Sequence, residues 1–251
     1  MDALVLTLDT DWAPDFVIEF AAERLIERRV RATWFVTHCS PAIEALREYR
    51  DLFELGIHPN FLPGSTHGDC PDAVLQHCME LVPEAVSMRT HALVQSTPLL
   101  EQVMEGTPIT TDVSLFLPHA LSLSPVEYWW RRRLLLRIPY YWEDDFEMGL
   151  PAPDWELTSR LKKADGLKVF DFHPIHIYLN SPSVNPYQRF KKQAPRLSES
   201  TKAQADSFVH LGKGTQTFFL QLVDHLAERE SHCVKDISMQ WRLRKESARA
   251  G

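Results

Sequence analysis

The run Ala3-Leu4-Val5-Leu6-Thr7-Leu8 is almost unbroken in its apolar character and stops at Asp9-Thr10-Asp11, the pattern of a strand buried on both faces. Pro14 and Asp15 then open a stretch in which Phe16, Phe20, Ala21 and Leu25 recur at helical spacing, with Arg28 and Arg29 suiting a helix carboxyl end. Strand character returns at Thr33-Trp34-Phe35-Val36. The alternation continues with a helix from Pro41 to Phe53, a short strand ending at His58 and a helix from Asp72 to Leu81. Further strands are expected over Ala85 to Met88, Ile109 to Leu115, Leu134 to Pro139 and Leu167 to Phe172. Strand and helix taking turns in this way predicts a parallel α/β fold.

A closed or partly closed barrel is expected in preference to an open sheet, because no dinucleotide fingerprint is present. Gly212-Lys213-Gly214-Thr215 lacks the third glycine and follows no strand; it reads as the entry to a carboxyl-terminal helix near 215–230, with Phe218, Phe219, Leu222, Val223 and Leu226 facing inward.

Composition narrows the function without naming it. The 251 residues are 44% hydrophobic and 24% charged, ample for a sizeable core, and their 9 Gly and 17 Pro are scattered without a linker, so a single domain over 1–251 is expected. A net charge of −7 argues against a nucleic-acid partner; the basic runs Arg131-Arg132-Arg133 and Arg242 to Arg249 each read as a solvated turn or frayed tail. Cys39, Cys70, Cys78 and Cys233 form no C-x-x-C pair, and the first apolar run is too short for a signal or membrane span. A cytoplasmic protein with reduced thiols and no membrane span is expected.

In parallel α/β folds reactive groups gather where strands end, and here those ends carry Asp9 and Asp11, His58, Arg89 and His91, Asp112, and His173 and His176. Asp9 and Asp11, two apart in extended chain, point the same way and would repel unless a cation or a proton relieves them; the plainer alternative is a helix cap and a solvated carboxylate. His58 and His67, with Asp11, would make a two-histidine, one-carboxylate site of the kind that suits zinc, cobalt, nickel or iron. His173 and His176 emerge abruptly from an apolar strand, and Arg89 is placed to orient a carboxylate or bind substrate; core histidines and a surface ion pair are the structural alternatives. Tyr140-Tyr141-Trp142-Glu143-Asp144-Asp145 suits stacking on sugar faces, or is an acidic loop with aromatic anchors. No H-E-x-x-H, G-x-S-x-G or P-loop sequence occurs.

The ordered set Thr7-Leu8-Asp9-Thr10-Asp11, Gly56-Ile57-His58, Met88-Arg89, Thr111-Asp112-Val113-Ser114 and Phe172-His173-Pro174 resembles the five motifs of polysaccharide deacetylases, carbohydrate esterases with a NodB-homology domain. It is most similar to a branch associated with bacterial O-antigen synthesis, and the resemblance spans residues 4–178. The resemblance implies a deformed (β/α) barrel, one divalent metal, with zinc first and cobalt, nickel, manganese or iron as alternatives, and hydrolysis of an N-acyl group from an amino sugar of a surface polysaccharide or its precursor. Asp9 would be the general base, Asp11 and His58 metal ligands, Arg89 the residue orienting the base, and His173 the general acid tuned by Asp112. Asn60, His91, Trp142, Glu143 and His176 would line the substrate site.

Two positions depart from the family pattern. Thr10 separates two aspartates that are usually adjacent, and Leu62 stands where a second histidine usually lies, leaving His67, Asn60, His91 or water to complete the metal set. A glycosidase using Glu143 and Asp145, and a non-catalytic sugar-binding protein, are the rival readings.

Overall fold

The computed structural model describes residues 2–118, 120–162 and 165–250. Among them, one ten-stranded sheet is built from β1 (Ala3–Asp9), β2 (Ala32–Val36), β3 (Phe53–Ile57), β4 (Ser87–Met88), β5 (Thr111–Asp112), β6 (Ser122–Leu123), β7 (Val126–Trp130), β8 (Arg133–Arg137), β9 (Trp142–Glu143) and β10 (Asp165–Phe172). The order is β6-β10-β1-β2-β3-β4-β5-β8-β7, with β9 also paired to β10. Neighbours run parallel except β7 and β8, an antiparallel hairpin. The sheet curls into a half-barrel, the deformed (β/α) barrel expected.

Strand alternation sorts the side chains into two cores. Outward residues such as Leu6, Leu8, Trp34, Leu55, Met88, Phe170 and Phe172 pack under the helices, including Asp15–Glu27 and Thr215–Ala227. Val5, Phe35, Val113, Leu136, Ile138, Tyr140, Leu167 and Val169 fill the interior. Near-continuous apolar runs were the sequence sign of this two-sided burial.

Several expected elements are shorter or replaced. The helix from Pro41 ends at Leu46 and a 3-10 turn follows over Arg47–Tyr49, because Phe53 already begins β3. β4 and β5 hold two residues each, where longer strands were expected. Arg131 and Arg132 form the turn of the β7–β8 hairpin, with Arg131 at φ 53°.

The stretch read as a frayed tail belongs to a helix, Val234–Ala250. Val234, Ile237 and Trp241 recur on its inner face and close the barrel at the amino ends of the strands. There the backbone N–H groups of Val234 and Lys235 donate to Thr33 Oγ1 (2.9 Å) and Glu54 Oε2 (2.8 Å), and Ser238 meets Thr111 (2.9 Å). Buried Glu54 also accepts from Thr33 (2.9 Å) and Ser87 (2.7 Å), which provides partners for a carboxyl group that burial otherwise penalises. Among the described residues no helix is long and apolar enough to cross a membrane.

Candidate active site

The opposite rim, at the carboxyl ends of the strands, collects most of the chemistry-bearing residues. Asp9 is the last inward residue of β1, and beyond it Asp11 (φ 42°) and Trp12 (φ 54°) both adopt left-handed backbone. Such conformations strain residues other than glycine and persist only where surroundings impose them. Thr10 is part of that imposition. Its hydroxyl meets Thr37 Oγ1 (3.0 Å), which also accepts from the Trp12 N–H (2.9 Å), so the residue that interrupts the aspartate pair pins the turn to the end of β2.

The turn brings Asp11 to His58 and His91. Asp11 Oδ1 lies 3.2 Å from His58 Nε2 and 3.1 Å from His91 Nδ1, and the two ring nitrogens are 3.4 Å apart. Tetrahedral coordination at zinc–ligand bonds of about 2.0–2.1 Å separates neighbouring donors by about 3.3–3.4 Å, so this donor set fits such an ion in number, kind and spacing. His58 Nδ1 is buried without a partner, which leaves Nε2 as the nitrogen directed at the cluster. Burial opposes ionisation of Asp11, but His58, His91 and His173 outweigh it and hold its pKa well below the usual carboxylate range. His91 is aimed by another strained turn, with Ala92 at φ 52° and Leu93 at φ 53°.

His67 stands outside this cluster. Its Nε2 meets the Thr37 carbonyl (2.7 Å) and its Nδ1 accepts from the Asn60 N–H (3.2 Å), so both ring nitrogens are bound to backbone. Burial pushes its pKa down to about 4, keeping the ring neutral. Leu62 lies in the same loop, away from the sheet; the adjacent strand β4 leads to His91 instead. Asn60 accepts from Leu62 N–H (3.0 Å) and shapes that loop.

Arg89 is buried beyond the end of β4, between the rings of Phe35 (4.7 Å) and Tyr140 (4.5 Å). It donates to Asp9 Oδ1 (2.8 Å), Thr7 Oγ1 (2.8 Å) and the Val113 carbonyl (3.2 Å), and also to Asp171 Oδ1. One guanidinium nitrogen, Nη1, thus serves both Asp9 and Asp171.

His173 faces the cluster from β10, its Nε2 3.6 Å from Asp11 Oδ2. Its orienting carboxylate is Asp144, which accepts from Nδ1 (2.7 Å) and from the backbone N–H (2.8 Å). Burial disfavours the imidazolium, but Asp144, Asp145 and Asp11 outweigh that and raise its pKa well above 6.5. Asp112 does not fill this place. It alternates with the interior Val113, lies on β5, five strands along from β10, and bonds Ser114 (2.6 Å) and Arg137 (2.7 Å). Asp144 instead follows β9, which pairs directly with β10.

His176 is buried and pairs with Asp145 (2.9 Å), with the Tyr187 ring edge-on at 4.4 Å. Glu143 accepts from Tyr140 (3.1 Å), and burial moves its pKa up to about 7. Trp142 is a core residue, not a sugar platform: it stacks on Phe218 at 4.3 Å and donates to Glu147 (3.2 Å). Trp12 is a half-buried aromatic beside the cluster, its ring meeting His91 edge-on at 5.3 Å.

Known proteins resemble this chain in sequence and in fold. The family profile "WbmS-like: Polysaccharide deacetylase" matches residues 6–191. A crystal structure from Bordetella bronchiseptica, assigned as a polysaccharide deacetylase involved in O-antigen biosynthesis, is similar at 33% identity, covering 88% of this chain and 90% of that one with a TM-score of 0.78. The peptidoglycan deacetylase PdaC of Bacillus subtilis shares the fold at 13% identity and a TM-score of 0.50, covering 99% of this chain and 96% of that one. So does the 4-alpha-glucanotransferase of Thermococcus litoralis, at 11% identity and 0.52, covering 96% of this chain and 38% of that one. No curated protein sequence matches.

Proposed function

The chain belongs to the WbmS-like polysaccharide deacetylases, and from that premise we propose that it hydrolyses an N-acyl group, most simply acetyl, from an amino sugar of a bacterial surface polysaccharide or its cytoplasmic precursor. The observation that carries this reading is the convergence of Asp11, His58 and His91 between Asp9 on one side and His173 on the other. Asp11, His58 and His91 would hold one divalent cation, zinc first by its donor set. When bound, such an ion polarises the acyl carbonyl and acidifies a water.

The chain's own residues supply the proton transfers. Arg89 holds Asp9 by Oδ1, leaving Oδ2 on the side of His58, 3.5 Å from its Nε2. As the water oxygen bonds to the acyl carbon, Asp9 accepts the water's proton. The carbon–nitrogen bond then breaks, and His173 Nε2 gives its proton to the departing nitrogen, releasing carboxylate and free amine. Asp144 stabilises the charged, correctly turned imidazole in the manner of other carboxylate–histidine pairs. Glu143 and Asp145, the carboxyls of a glycosidase, are here bound to Tyr140 and His176. Trp12 and Tyr187 offer aromatic surface to the sugar.

The test is an assay of acetate and free amine released from monomeric, nucleotide-linked, lipid-linked and polymeric N-acetyl amino sugars, with metal content measured on the same protein. Release that disappears on chelation and returns with zinc supports the reading. A stoichiometric metal with no amide cleaved across the panel rejects it in favour of sugar binding.

A further inference from the structure

Asp171 takes no part in these steps, yet it lies among the residues that do. It is 1% exposed, on β10 opposite Thr7 of β1 in register and two residues before His173, which follows the strand. Its Oδ1 accepts from Thr7 (3.0 Å) and from Arg89 Nη1, the same nitrogen that donates to Asp9. Its Oδ2 is buried without a hydrogen-bond partner.

The groups facing it are Arg89 beyond β4, Asp9 from β1, His173 from just beyond its own strand and Glu143 from β9. Of the two cations, His173 is already held by Asp144 (2.7 Å). One guanidinium therefore stands between two buried carboxyl groups, an arrangement in which desolvation and like charge drive a proton onto one of them. Asp9 Oδ2 faces the cluster at His58, 3.5 Å away, whereas Asp171 Oδ2 is buried with no hydrogen-bond partner. Burial pushes the Asp171 pKa well above the ordinary range, with Arg89 opposing and Asp9 assisting.

We infer that Asp171 is a neutral carboxylic acid in the folded protein and a positioning residue for Arg89, accepting its hydrogen bond through Oδ1 while leaving its charge to Asp9. The protonation state stands on the geometry alone, and only its bearing on the base rests on the proposed deacetylation. Asn reproduces the neutral acid: its oxygen accepts as Oδ1 does and its amide is a donor where Oδ2 carries the proton.

Three variants and two readouts that need no substrate test this. Asp171→Asn should melt at or above the wild-type temperature at neutral pH, because it keeps the shape without the cost of holding a proton above the ordinary carboxyl pKa. The wild-type minus Asp171→Asn infrared difference spectrum should contain the carbonyl band of a protonated acid. Where deacetylation is measurable, Asp171→Asn should stay within about threefold of wild type, whereas Asp171→Leu and Asp171→Ala, which remove the acceptor that Arg89 Nη1 shares with Asp9, should fall by roughly tenfold or more. An ionised-carboxylate band in the difference spectrum, or Asp171→Asn melting as low as Asp171→Leu, overturns the inference. Failure of the activity assay alone would count against the proposed reaction and leave the infrared and melting results to decide.

Discussion

Asp144 holds His173 twice, with one oxygen on the ring Nδ1 at 2.7 Å and the other on the backbone N–H at 2.8 Å. The double contact fixes the ring's rotation and keeps Nδ1 protonated, so the proton that the imidazolium can give up is the one on Nε2, facing the cluster. Because the His173 pKa is raised, the ring loses its acid proton at a higher pH than an ordinary imidazole does. Asp144→Asn should lower turnover by roughly 10²–10³-fold and move the alkaline limb of the pH–rate profile to lower pH. An unchanged alkaline limb would mean that His173 is not the acid. Linkage has the same sign: the His173 contribution to stability is fully present below its unfolded pKa and is lost as pH rises through the raised folded value.

Histidine substitutions should separate the cluster from its neighbour. His58→Ala and His91→Ala each remove a donor, so bound metal measured by mass spectrometry should fall to a small fraction of one equivalent. His67→Ala should retain it, because that ring is bound to Thr37 and Asn60. Metal lost in His67→Ala and kept in His91→Ala would exchange the two assignments.

Gly56 supports Arg89 at one remove. A Cβ there would sit 2.8 Å from the Phe35 ring and 2.8 Å from the Ser87 carbonyl, and Phe35 is one of the two rings sandwiching the guanidinium. Gly56→Ala should destabilise the fold by about 1–3 kcal/mol, since the backbone oxygen cannot yield as a flexible side chain would. Thermal or denaturant unfolding checks this; a cost below about 0.5 kcal/mol would show that β3 and β4 can shift apart freely.

The turn after His91 places Ala92 at φ 52°, where an L-residue pays roughly 1–2 kcal/mol that glycine does not. Ala92→Gly adds freedom to the unfolded chain and gives back about 0.4–1 kcal/mol of that. A net stabilisation of about 0.5 kcal/mol, with metal content unchanged, is expected from unfolding curves. A destabilised variant would show that the surrounding contacts, not strain, dominate the turn.

The sequence made the inner barrel readable because two-sided burial writes apolar runs, and the residues that break them, Asp9, His58, Arg89 and His173, are polar where a packed strand should not be. It misled where the partner is chosen by sheet order. Asp112 and Asp144 are both carboxylates near strands, and only the adjacency of β9 to β10 selects Asp144. His67 and His91 were both weighed as ligands on local grounds, yet the choice depends on a backbone turn of two left-handed residues that no propensity announces. Trp142 looked like a sugar platform because an aromatic beside acids carries no label of the face it takes. Asp171 did carry a signal, parity with His173 just beyond the same strand, which places it inward. The helix Val234–Ala250 was hidden because basic residues outnumber the few inward apolar positions that hold it.

That helix sets an order on biosynthesis. Every strand leaves the ribosome before Val234 and Ile237 do, so the interior around Val5, Phe35, Leu136 and Val169 stays uncovered at one end while the nascent chain is still growing. Thr33, Glu54 and Thr111 each gain a further partner from the same segment. A chain cut short before it would keep all the residues of the proposed chemistry and yet display an open apolar lumen, the kind of surface that chaperones and proteases recognise.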